Sequence, residues 1–329
     1  MRPNYHWPDR EEQPVGRADH ITKLYAALAE PCLRESQVAV PFQQLLDQLN
    51  QGAAPYRHEA VEGPHGVVYT DAVAPKVVVV VSATGGVGRS TLAAALASGL
   101  QRQGHPALAL ELDPQNALRH HLCPGFDVPG LGATSLLNQT WQALPKRGFA
   151  GCQLVTFGET DAVQQQSLNR WLGQDQAFLA KRLAGLGLSG RDTVVIDVPA
   201  GNTVYLSQAL SVADVVLVVV QPDAASFRRL AKMDEVLAPY LAGEAPPQRF
   251  YVINQVDAGQ SFSQDMAGVF KLRLGDAVLG TVQRDVSVSE AQAYGRDPFD
   301  PALNSGGSQD VSALCRALSV RMHLSNNGH

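Results

Sequence analysis

The sequence predicts an α/β fold with a doubly wound, mostly parallel sheet. From Lys76 onward, short apolar runs alternate with segments that have the apolar spacing of helices, as in chains built from repeated βα units. The first run, residues 76–81, is a continuous β-branched stretch, which is typical of a strand buried on both faces. A glycine-rich turn at 82–91 joins it to an alanine- and leucine-rich helix. Ligands bind such sheets at the carboxyl ends of the strands.

The later elements follow from the same two signals. Apolar runs indicate strands, and apolar residues at i, i+3 and i+4 indicate helices. Gly104 suits the end of the first helix, because glycine readily adopts the left-handed conformation that closes helices. Strands are predicted at 76–83, 106–113, 154–158, 192–201, 214–222, 249–257 and 277–285, and helices at 90–104, 176–187, 204–213, 226–241 and 310–322.

Residues 1–74 contain no strand-like run and are predicted to form an N-terminal arm with two short amphipathic helices and a linker. In each helix, apolar residues recur at i, i+3, i+4 and i+7, which places them on one face. These stripes are Ile21, Leu24, Tyr25 and Leu28 in the first helix, and Phe42, Leu45, Leu46 and Leu49 in the second. They either pack on the chain's own core or dock a partner. Residues 75–322 form the α/β domain, and 323–329 are a polar tail.

Composition and charge disfavour several classes of protein. The net charge of −5 argues against a bulk electrostatic grip on nucleic acid, which works by neutralising phosphates. The four cysteines form no C-x-x-C pair, as expected for a chain in a reducing, cytoplasmic environment. The N-terminus lacks the apolar core of a secretory signal, and the apolar run at 77–81 is far too short to span a bilayer.

The turn at 82–91 reads Ser-Ala-Thr-Gly-Gly-Val-Gly-Arg-Ser-Thr and departs twice from the phosphate-binding pattern G-x-x-x-x-G-K-[ST]. Ala83 stands at the first glycine and Arg89 at the lysine. Gly85, Gly86 and Gly88 still permit the backbone turns that aim amide groups inward. The positive end of the following helix points at the same place. A phosphate site is therefore expected here despite the missing lysine.

Polar residues at four further positions suit a nucleotide site. Ser90 has the hydroxyl that a magnesium ion needs. Asp113 ends the second predicted strand, where it can orient water or magnesium near a terminal phosphate, and Asp197 has the position that holds magnesium through water. Asn254 ends a late strand, where its carboxamide can read an adenine edge. Asp113, Asp197 and Asn254 could each instead be a strand-end cap or turn residue, but these three together with the glycine loop, in this order, favour nucleotide binding.

Four segments, GGVGRSTLAAALASGL, ELDPQN, VVIDVPAG and VVVQPD, make residues 76 to about 320 resemble the deviant-Walker P-loop ATPases of the MinD/ParA (SIMIBI) class. Within that class, LVTFG and the block that begins VQRDVSVSE resemble the cellulose-biosynthesis family BcsQ. This block suggests an Arg-Asp pair followed by a helix, an extended segment and a final helix. The resemblance implies ATP and Mg²⁺ as cofactors. It implies phosphate or nucleotide contacts from Gly85, Gly86, Val87, Gly88, Arg89, Ser90, Thr91, Pro222 and Asn254, magnesium contacts from Ser90, Asp113 and Asp197, and catalytic roles for Asp113 and Arg89.

Two departures from the MinD/ParA pattern bear on hydrolysis. That class has a signature lysine just before the glycines, which reaches the partner's phosphates across a dimer, and Thr84 stands at that position. The P-loop lysine is Arg89. ATP binding with slow or absent hydrolysis is therefore expected. If another residue replaces the lost charge, Arg284 of the Arg-Asp pair is the first candidate.

The resemblance implies a cytoplasmic, ATP-dependent homodimer that assembles, localises or regulates the cellulose synthase complex at the inner membrane or a cell pole. Its expected partners are subunits of the synthase and a small BcsQ-associated protein, with only indirect contact with the membrane. Two alternatives stay open. One is a nucleotide-bound scaffold of the same complex that does not hydrolyse ATP, and the other is a DNA-partitioning ATPase of the ParA type, which the acidic net charge disfavours.

Overall fold

One eight-stranded sheet forms the centre of the domain, with strand order β3-β4-β2-β5-β1-β6-β7-β8. The computed structural model describes residues 21–22, 74–124, 130–243 and 245–322. All pairs of neighbouring strands are parallel except β3 with β4. The strands are β1 Lys76–Val81, β2 Ala107–Glu111, β3 Lys146–Arg147, β4 Gln153–Val155, β5 Thr193–Asp197, β6 Val215–Val220, β7 Gln248–Val256 and β8 Val278–Gln283.

Helices cover both faces of this sheet. The described helices of five or more residues are α1 Arg89–Arg102, α2 Leu118–Leu122, α3 Leu131–Leu136, α4 Ala162–Gln174, α5 Phe178–Ala184, α6 Val204–Leu210, α7 Ala224–Leu241, α8 Ser261–Leu274, α9 Val286–Ala293 and α10 Gly306–Arg321. Short 3₁₀ turns lie at Phe149–Gly151, Gly275–Ala277 and Pro301–Leu303. Among these helices, none is long and apolar enough to cross a membrane.

The position of β1 at the centre of the sheet explains why its sequence is a continuous run of valines. Val77, Val79 and Val81 face a core shared with α4 to α8, whereas Val78 and Val80 face a second core shared with α1 and α10. Because successive strand residues point to opposite faces, a strand covered on both sides must be apolar throughout. The doubly wound, mostly parallel α/β fold predicted from the sequence is thus confirmed.

Helices α2, α3, α4 and α8 and the short strand β3 were not predicted. Helix α4 is mostly polar, and Leu168 and Leu172 are its fully buried residues, so its apolar stripe is too narrow to stand out. Its start is fixed instead by a capping box, in which Asp161 accepts from the Gln164 amide at 2.8 Å and the Gln164 side chain accepts from the Asp161 amide at 2.9 Å. The helix, extended segment and final helix implied after Arg284-Asp285 are present.

Most of the predicted N-terminal arm lies outside the described residues. Ile21 and Thr22 are helical, and Ile21 is half-buried against the core on the α8 side of the sheet. A Cβ on Gly268 of α8 would come within 2.8 Å of Ile21 Cδ1, so the helix surface is shaped to admit this side chain. The other stripe residues, namely Leu24, Tyr25, Leu28, Phe42, Leu45, Leu46 and Leu49, lie outside the described part, as do the linker and the tail at 323–329.

Candidate functional site

The loop and the polar residues singled out in the sequence meet at the carboxyl edge of the sheet. The loop at 82–88 leaves β1, Asp113 lies just beyond β2, Asp197 is the last residue of β5, and Asn254 lies near the end of β7. Since β1 pairs directly with β5, and β5 with β2, the loop and the two carboxylates come from adjacent strands. This edge is where doubly wound sheets hold ligands.

The glycine loop leaves an open space beside its backbone. Gly86 and Gly88 have φ values of +80° and +83°, in the left-handed region that favours glycine. A Cβ built on Gly85 or Gly86 would meet nothing within 4 Å. Gly88 is the N-cap of α1 and provides no side-chain cap, so the first amides of α1 are available to an anion. The loop therefore has the features that a phosphate group requires.

Three carboxamides hold the loop from the neighbouring strand ends. Asn254 Nδ2 donates to the Val87 carbonyl at 2.8 Å. The Nε2 atoms of Gln221 and Gln255 each lie 3.4 Å from the Gly86 carbonyl, and Gln221 Nε2 also donates to Gln255 Oε1 at 2.9 Å. Gln255 has a φ of +59°, which is uncommon for a residue other than glycine. Neither glutamine was predicted from the sequence, although they adjoin the predicted contacts Pro222 and Asn254.

Gly88 approaches these carboxamides closely. A Cβ at this position would lie 2.5 Å from Asn254 Nδ2 and 3.2 Å from Gln255 Nε2. The absence of a side chain at Gly88 thus lets the loop reach the end of β7. From sequence alone, we expected this glycine to make room for a phosphate.

Arg89 is buried in an ionic network with the two carboxylates among the candidate magnesium residues, Asp113 and Asp197. Its side chain is 9% exposed. Nε donates to Asp197 Oδ1 at 2.8 Å, Nη2 donates to Asp113 Oδ2 at 2.7 Å, and Nη1 donates to Ser82 Oγ at 3.2 Å. The sequence predicted that these residues would meet. It did not indicate that the guanidinium would turn toward the two carboxylates rather than remain free in the loop.

Asp197 keeps one oxygen free for a further contact. It is fully buried, and burial raises the pKa of its carboxyl group, against the opposing effects of Arg89 and the nearby Ser90 hydroxyl. Its Oδ2 atom has no hydrogen-bond partner of normal geometry in the described structure. A buried acceptor of this kind, beside a serine hydroxyl, fits a magnesium ion held partly through water.

Glu111 adds a third carboxyl group to this cluster and was not singled out in the sequence. It is the last residue of β2, pairs in register with Asp197, and is 0% exposed. Oε1 accepts from the Leu118 amide at 2.6 Å, and Oε2 is an unpartnered buried atom. Burial, with the nearby Asp197 and Asp113, raises the pKa of Glu111 to about 8 despite the Leu118 hydrogen bond. The signal in the sequence that could have identified Glu111 is an acidic residue in an otherwise apolar strand.

A cavity of about 410 Å³ opens on the Asn254 side of the loop, within the size range of small-molecule sites. Its lining residues are Gly88, Thr91, Asn254, Gln255, Val282, Gln283, Arg284, Asp285, Val286, Val288, Ser289, Gln292 and Phe299. The predicted contact Pro222 is not among them; it is buried just before Asp223, whose side chain caps α7 by accepting from the Ser226 amide at 2.7 Å. Arg284, the first candidate for replacing the lost lysine, lies on the cavity side of the loop.

Thr91 connects the cavity to a buried histidine. Its Oγ1 atom lies 3.4 Å from His121 Nε2. Burial, together with the neighbouring His120, lowers the pKa of His121 to about 4, so the ring is neutral near pH 7. The sequence gave no indication of this contact, because His121 follows β2 by ten residues.

Solved structures with this fold include a MinD protein and a cobyrinic acid a,c-diamide synthase. The septum site-determining protein MinD of Pyrococcus horikoshii, complexed with Mg-ADP, aligns with a TM-score of 0.61 and 18% identity, covering 75% of this chain and 97% of that one. The cobyrinic acid a,c-diamide synthase of Mycobacterium smegmatis, with bound ATP analog and magnesium, aligns with a TM-score of 0.60 and 19% identity, covering 76% and 96%. The fold is therefore that of a MinD/ParA-type P-loop protein.

The family model for "Cellulose biosynthesis protein BcsQ" matches residues 76–316, and the chain belongs to this family. The resemblance stated from the sequence is confirmed. The cellulose biosynthesis protein BcsQ of Salmonella typhi is 27% identical over 235 residues, which cover 70% of this chain and 88% of the relative. The chromosome-partitioning ATPase Soj of Thermus thermophilus is 25% identical over 252 residues, covering 72% and 93%.

Proposed function

We propose that this chain is an ATP-binding, homodimeric switch that assembles, localises or regulates the bacterial cellulose synthase complex. The convergence of the glycine loop, Asp113 and Asp197 at the sheet edge, beside a cavity of about 410 Å³, carries the proposal. Membership of the BcsQ family supports the link to cellulose synthesis. Structures of the same fold with Mg-ADP, or with an ATP analog and magnesium, support the nucleotide and the metal.

Each part of the site has a proposed role. The loop amides from Gly85 to Thr91 hold the phosphates, and the cavity beside Asn254 takes the base. Ser90 binds magnesium, and the free oxygen of Asp197 holds it through water. When bound, magnesium would neutralise charge that develops on the terminal phosphates. Asp113 orients the attacking water, which requires Arg89 to share or release that carboxylate.

We propose that ATP hydrolysis is slow or absent, and a second candidate function therefore stays open. Thr84 carries no charge, and both donor edges of Arg89 are occupied by buried carboxylates. Phosphoryl transfer depends on positive charge placed at the transferred group. A nucleotide-bound scaffold of the cellulose synthase complex is therefore the alternative. Single-turnover hydrolysis measured with and without synthase subunits separates the two.

The proposed partners and location follow from the family. We place the chain in the cytoplasm, recruited to the inner membrane or a cell pole through subunits of the synthase and a small BcsQ-associated protein. Because Ile21 contacts the core, docking is proposed for the second stripe. A Leu45→Ser, Leu49→Ser variant should lose a synthase partner, whereas the matched Gln44→Ser, Gln48→Ser variant should keep it. If both variants bind the synthase partner equally well, the second stripe of the arm does not dock it.

The nucleotide site is tested by two glycine variants with the same backbone strain. Gly88→Ala and Gly187→Ala both place a side chain at positive φ, but only Gly88 has atoms within 4 Å of the new Cβ. Titration calorimetry with ATP and magnesium should therefore show a large loss of affinity for Gly88→Ala and none for Gly187→Ala. Unchanged affinity in Gly88→Ala would refute the assignment of the loop. ATP-dependent retention on DNA by the parent would instead favour the partitioning alternative.

A further inference from the structure

Thr91, in the first turn of α1, lines the cavity beside Asn254. A helical threonine commonly bonds its hydroxyl to a carbonyl one turn earlier in the helix. Here the Val87 carbonyl, four residues back, instead accepts from Asn254 Nδ2 at 2.8 Å. In the described part of the chain, the Thr91 hydroxyl has one contact of hydrogen-bonding length, which is with His121. The direction of that hydrogen bond therefore decides what Thr91 can offer to a ligand.

The His121 ring is a neutral, buried group on the neighbouring helix. Helix α2 packs against α1, and His121 is 9% exposed. Its Nε2 atom lies 3.4 Å from Thr91 Oγ1, whereas Nδ1 has no hydrogen-bond partner in the described structure. Burial, together with the neighbouring His120, lowers the pKa of the ring to about 4. Near pH 7, one ring nitrogen therefore carries a proton and the other is an acceptor.

The unpartnered Nδ1 atom indicates which ring nitrogen carries the proton. A proton on Nδ1 would bury an N–H group without an acceptor, and Nε2 would then take up the proton of the Thr91 hydroxyl in a hydrogen bond. A proton on Nε2 leaves Nδ1 as an unpartnered acceptor instead. Among buried backbone groups, unpaired donors are rarer than under-used acceptors, and we expect the same order for an imidazole. The second tautomer is therefore favoured, and in it Nε2 donates to Thr91 Oγ1.

We infer that His121 is a positioning residue, whose Nε2–H group donates to Thr91 and so fixes the Thr91 hydroxyl as a donor into the cavity. The ligand group that matches this donor is an acceptor that carries no proton, such as a phosphate oxygen near pH 7. This inference rests on the proposed nucleotide site. It adds a residue that touches neither the glycine loop nor the ligand and acts through the orientation of one hydroxyl group.

The tautomer can be observed directly. Long-range proton–nitrogen correlation spectra of the isotope-labelled full chain near pH 7 show which ring nitrogen of a neutral histidine carries the proton. His121→Gln assigns the His121 signals, because they disappear from its spectrum. We expect the proton on Nε2, both in the chain alone and with ATP and magnesium. A proton on Nδ1 would overturn the inference, whatever the affinity for nucleotide.

Titration calorimetry with ATP and magnesium measures the effect on binding. His121→Leu removes the donor to Thr91 and should weaken ATP binding about 3- to 10-fold, the effect of losing one neutral hydrogen bond. His121→Gln should retain most of the affinity, because its amide nitrogen can donate from nearly the same place as Nε2. His105→Leu is the matched control. His105 is also a buried histidine, at 4% exposed, but it does not line the cavity, so this variant should bind ATP as the parent does.

A double-mutant cycle separates positioning of the hydroxyl from a general loss of packing. In a Thr91→Val background there is no hydroxyl to orient, so adding His121→Leu should cost no further ATP affinity. The same loss with and without the hydroxyl, or equal losses in His121→Gln and His121→Leu, would overturn the inference while leaving the nucleotide site in place. A parent that binds no ATP would overturn the proposed nucleotide site itself, and the spectra would still decide the tautomer of His121.

Discussion

At the scale of single residues, Arg89, the first residue of α1, is a charged side chain buried beside the glycine loop. Three hydrogen bonds from one guanidinium reach Ser82, Asp113 and Asp197. A planar group with donors on two edges can bridge two carboxylates, whereas a lysine ammonium offers a single point of charge. The arginine at the usual lysine position thus joins the ends of β2 and β5 to the loop.

Removing this guanidinium should be costly. Arg89→Ala leaves Asp113 and Asp197 buried without a counter-charge, and we expect the free energy of unfolding to fall by about 3–5 kcal/mol. The control is Lys232→Ala, which removes an exposed pair with Glu235 (side chains 75% and 66% exposed) and should change stability by about 0–1 kcal/mol. Urea unfolding measures both. Similar small losses would mean that the network contributes little to folding.

Glu111 should make stability depend on pH. Its pKa is raised from an ordinary value of 4.5 to about 8, so across that interval the folded chain retains a proton that the unfolded chain releases. This contribution to stability is therefore present below about pH 4.5 and is lost as the pH rises toward about 8. Glu111→Gln cannot ionise and should flatten the decline by up to about 1.4 kcal/mol per pH unit. The measurement is urea unfolding between about pH 5 and about pH 8.

The exposed Glu235 provides the comparison for that experiment. Glu235→Gln removes a carboxylate whose side chain is 66% exposed, and the pH dependence should match that of the parent. If Glu111→Gln shows the parent's slope as well, Glu111 is ionised in the folded chain, and the buried cluster holds one more negative charge than we infer.

At the scale of elements, a crossing of two loops sets the distance between β4 and α3. Gly158, in the LVTFG turn after β4, has a φ of +80°, and a Cβ there would lie 2.6 Å from Gly130 Cα. The Gly158 amide also donates to Asn116 Oδ1 at 3.2 Å. The LVTFG turn, which resembles the family pattern, thus contributes one of two glycines that lie in backbone contact. This contact lies beside the loop that carries Asp113.

Gly158→Ala should destabilise the domain more than its backbone angle alone requires. A left-handed alanine costs roughly 1–2 kcal/mol, and the contact with Gly130 adds to that, because backbone atoms on both sides cannot easily move. Gly187→Ala is the control, since its φ is +71° and its Cβ would meet nothing within 4 Å. Thermal and urea unfolding should rank Gly158→Ala well below Gly187→Ala. Equal losses of stability in the two variants would show that the backbone can move apart where Gly158 crosses Gly130.

At the scale of the whole molecule, the N-terminal segment contacts the domain at Ile21. The side chain is half-buried against Gly268 on α8. Ile21→Ala should therefore lower the free energy of unfolding by about 1–2 kcal/mol, less than the loss at a fully buried isoleucine. Val163→Ala, at a residue that is 72% exposed, should stay within about 0.5 kcal/mol. A loss at Ile21 no larger than at Val163 would mean that this contact adds no stability.

The sequence predicted the sheet well because the strand signals are strong. Five consecutive valines in β1 and similar runs in β5 and β6 are apolar on both faces, and few other structures need that pattern. The helix α4 escaped notice because its core contacts come from two leucines. Helix α8, by contrast, buries six residues, among them Met266, Val269 and Phe270, so its apolar face is visible in the sequence even though the helix was not predicted.

The membership of the candidate site was predictable only in part, and its geometry was not predictable. Strand ends locate Asp113, Asp197 and Asn254, because parallel strands bring their carboxyl ends to one edge. The direction taken by the Arg89 side chain depends on burial and on two distant carboxylates, and the positive φ of Gln255 depends on contacts across the loop. Neither is encoded in local spacing. The assignments of ATP and magnesium to these residues stay predictions.

The buried bridge that Arg89 forms between two carboxylates affects how the folded protein depends on the supply of nucleotide and magnesium. Proteins whose acidic clusters are neutralised by a bound metal often unfold when a chelator removes it. In this chain the guanidinium is a counter-ion built into the polypeptide, so folding need not wait for a cation from solution. Ligand shortage would then leave a folded pool that is ready to load, and abundance would be set by synthesis rather than by cofactor availability.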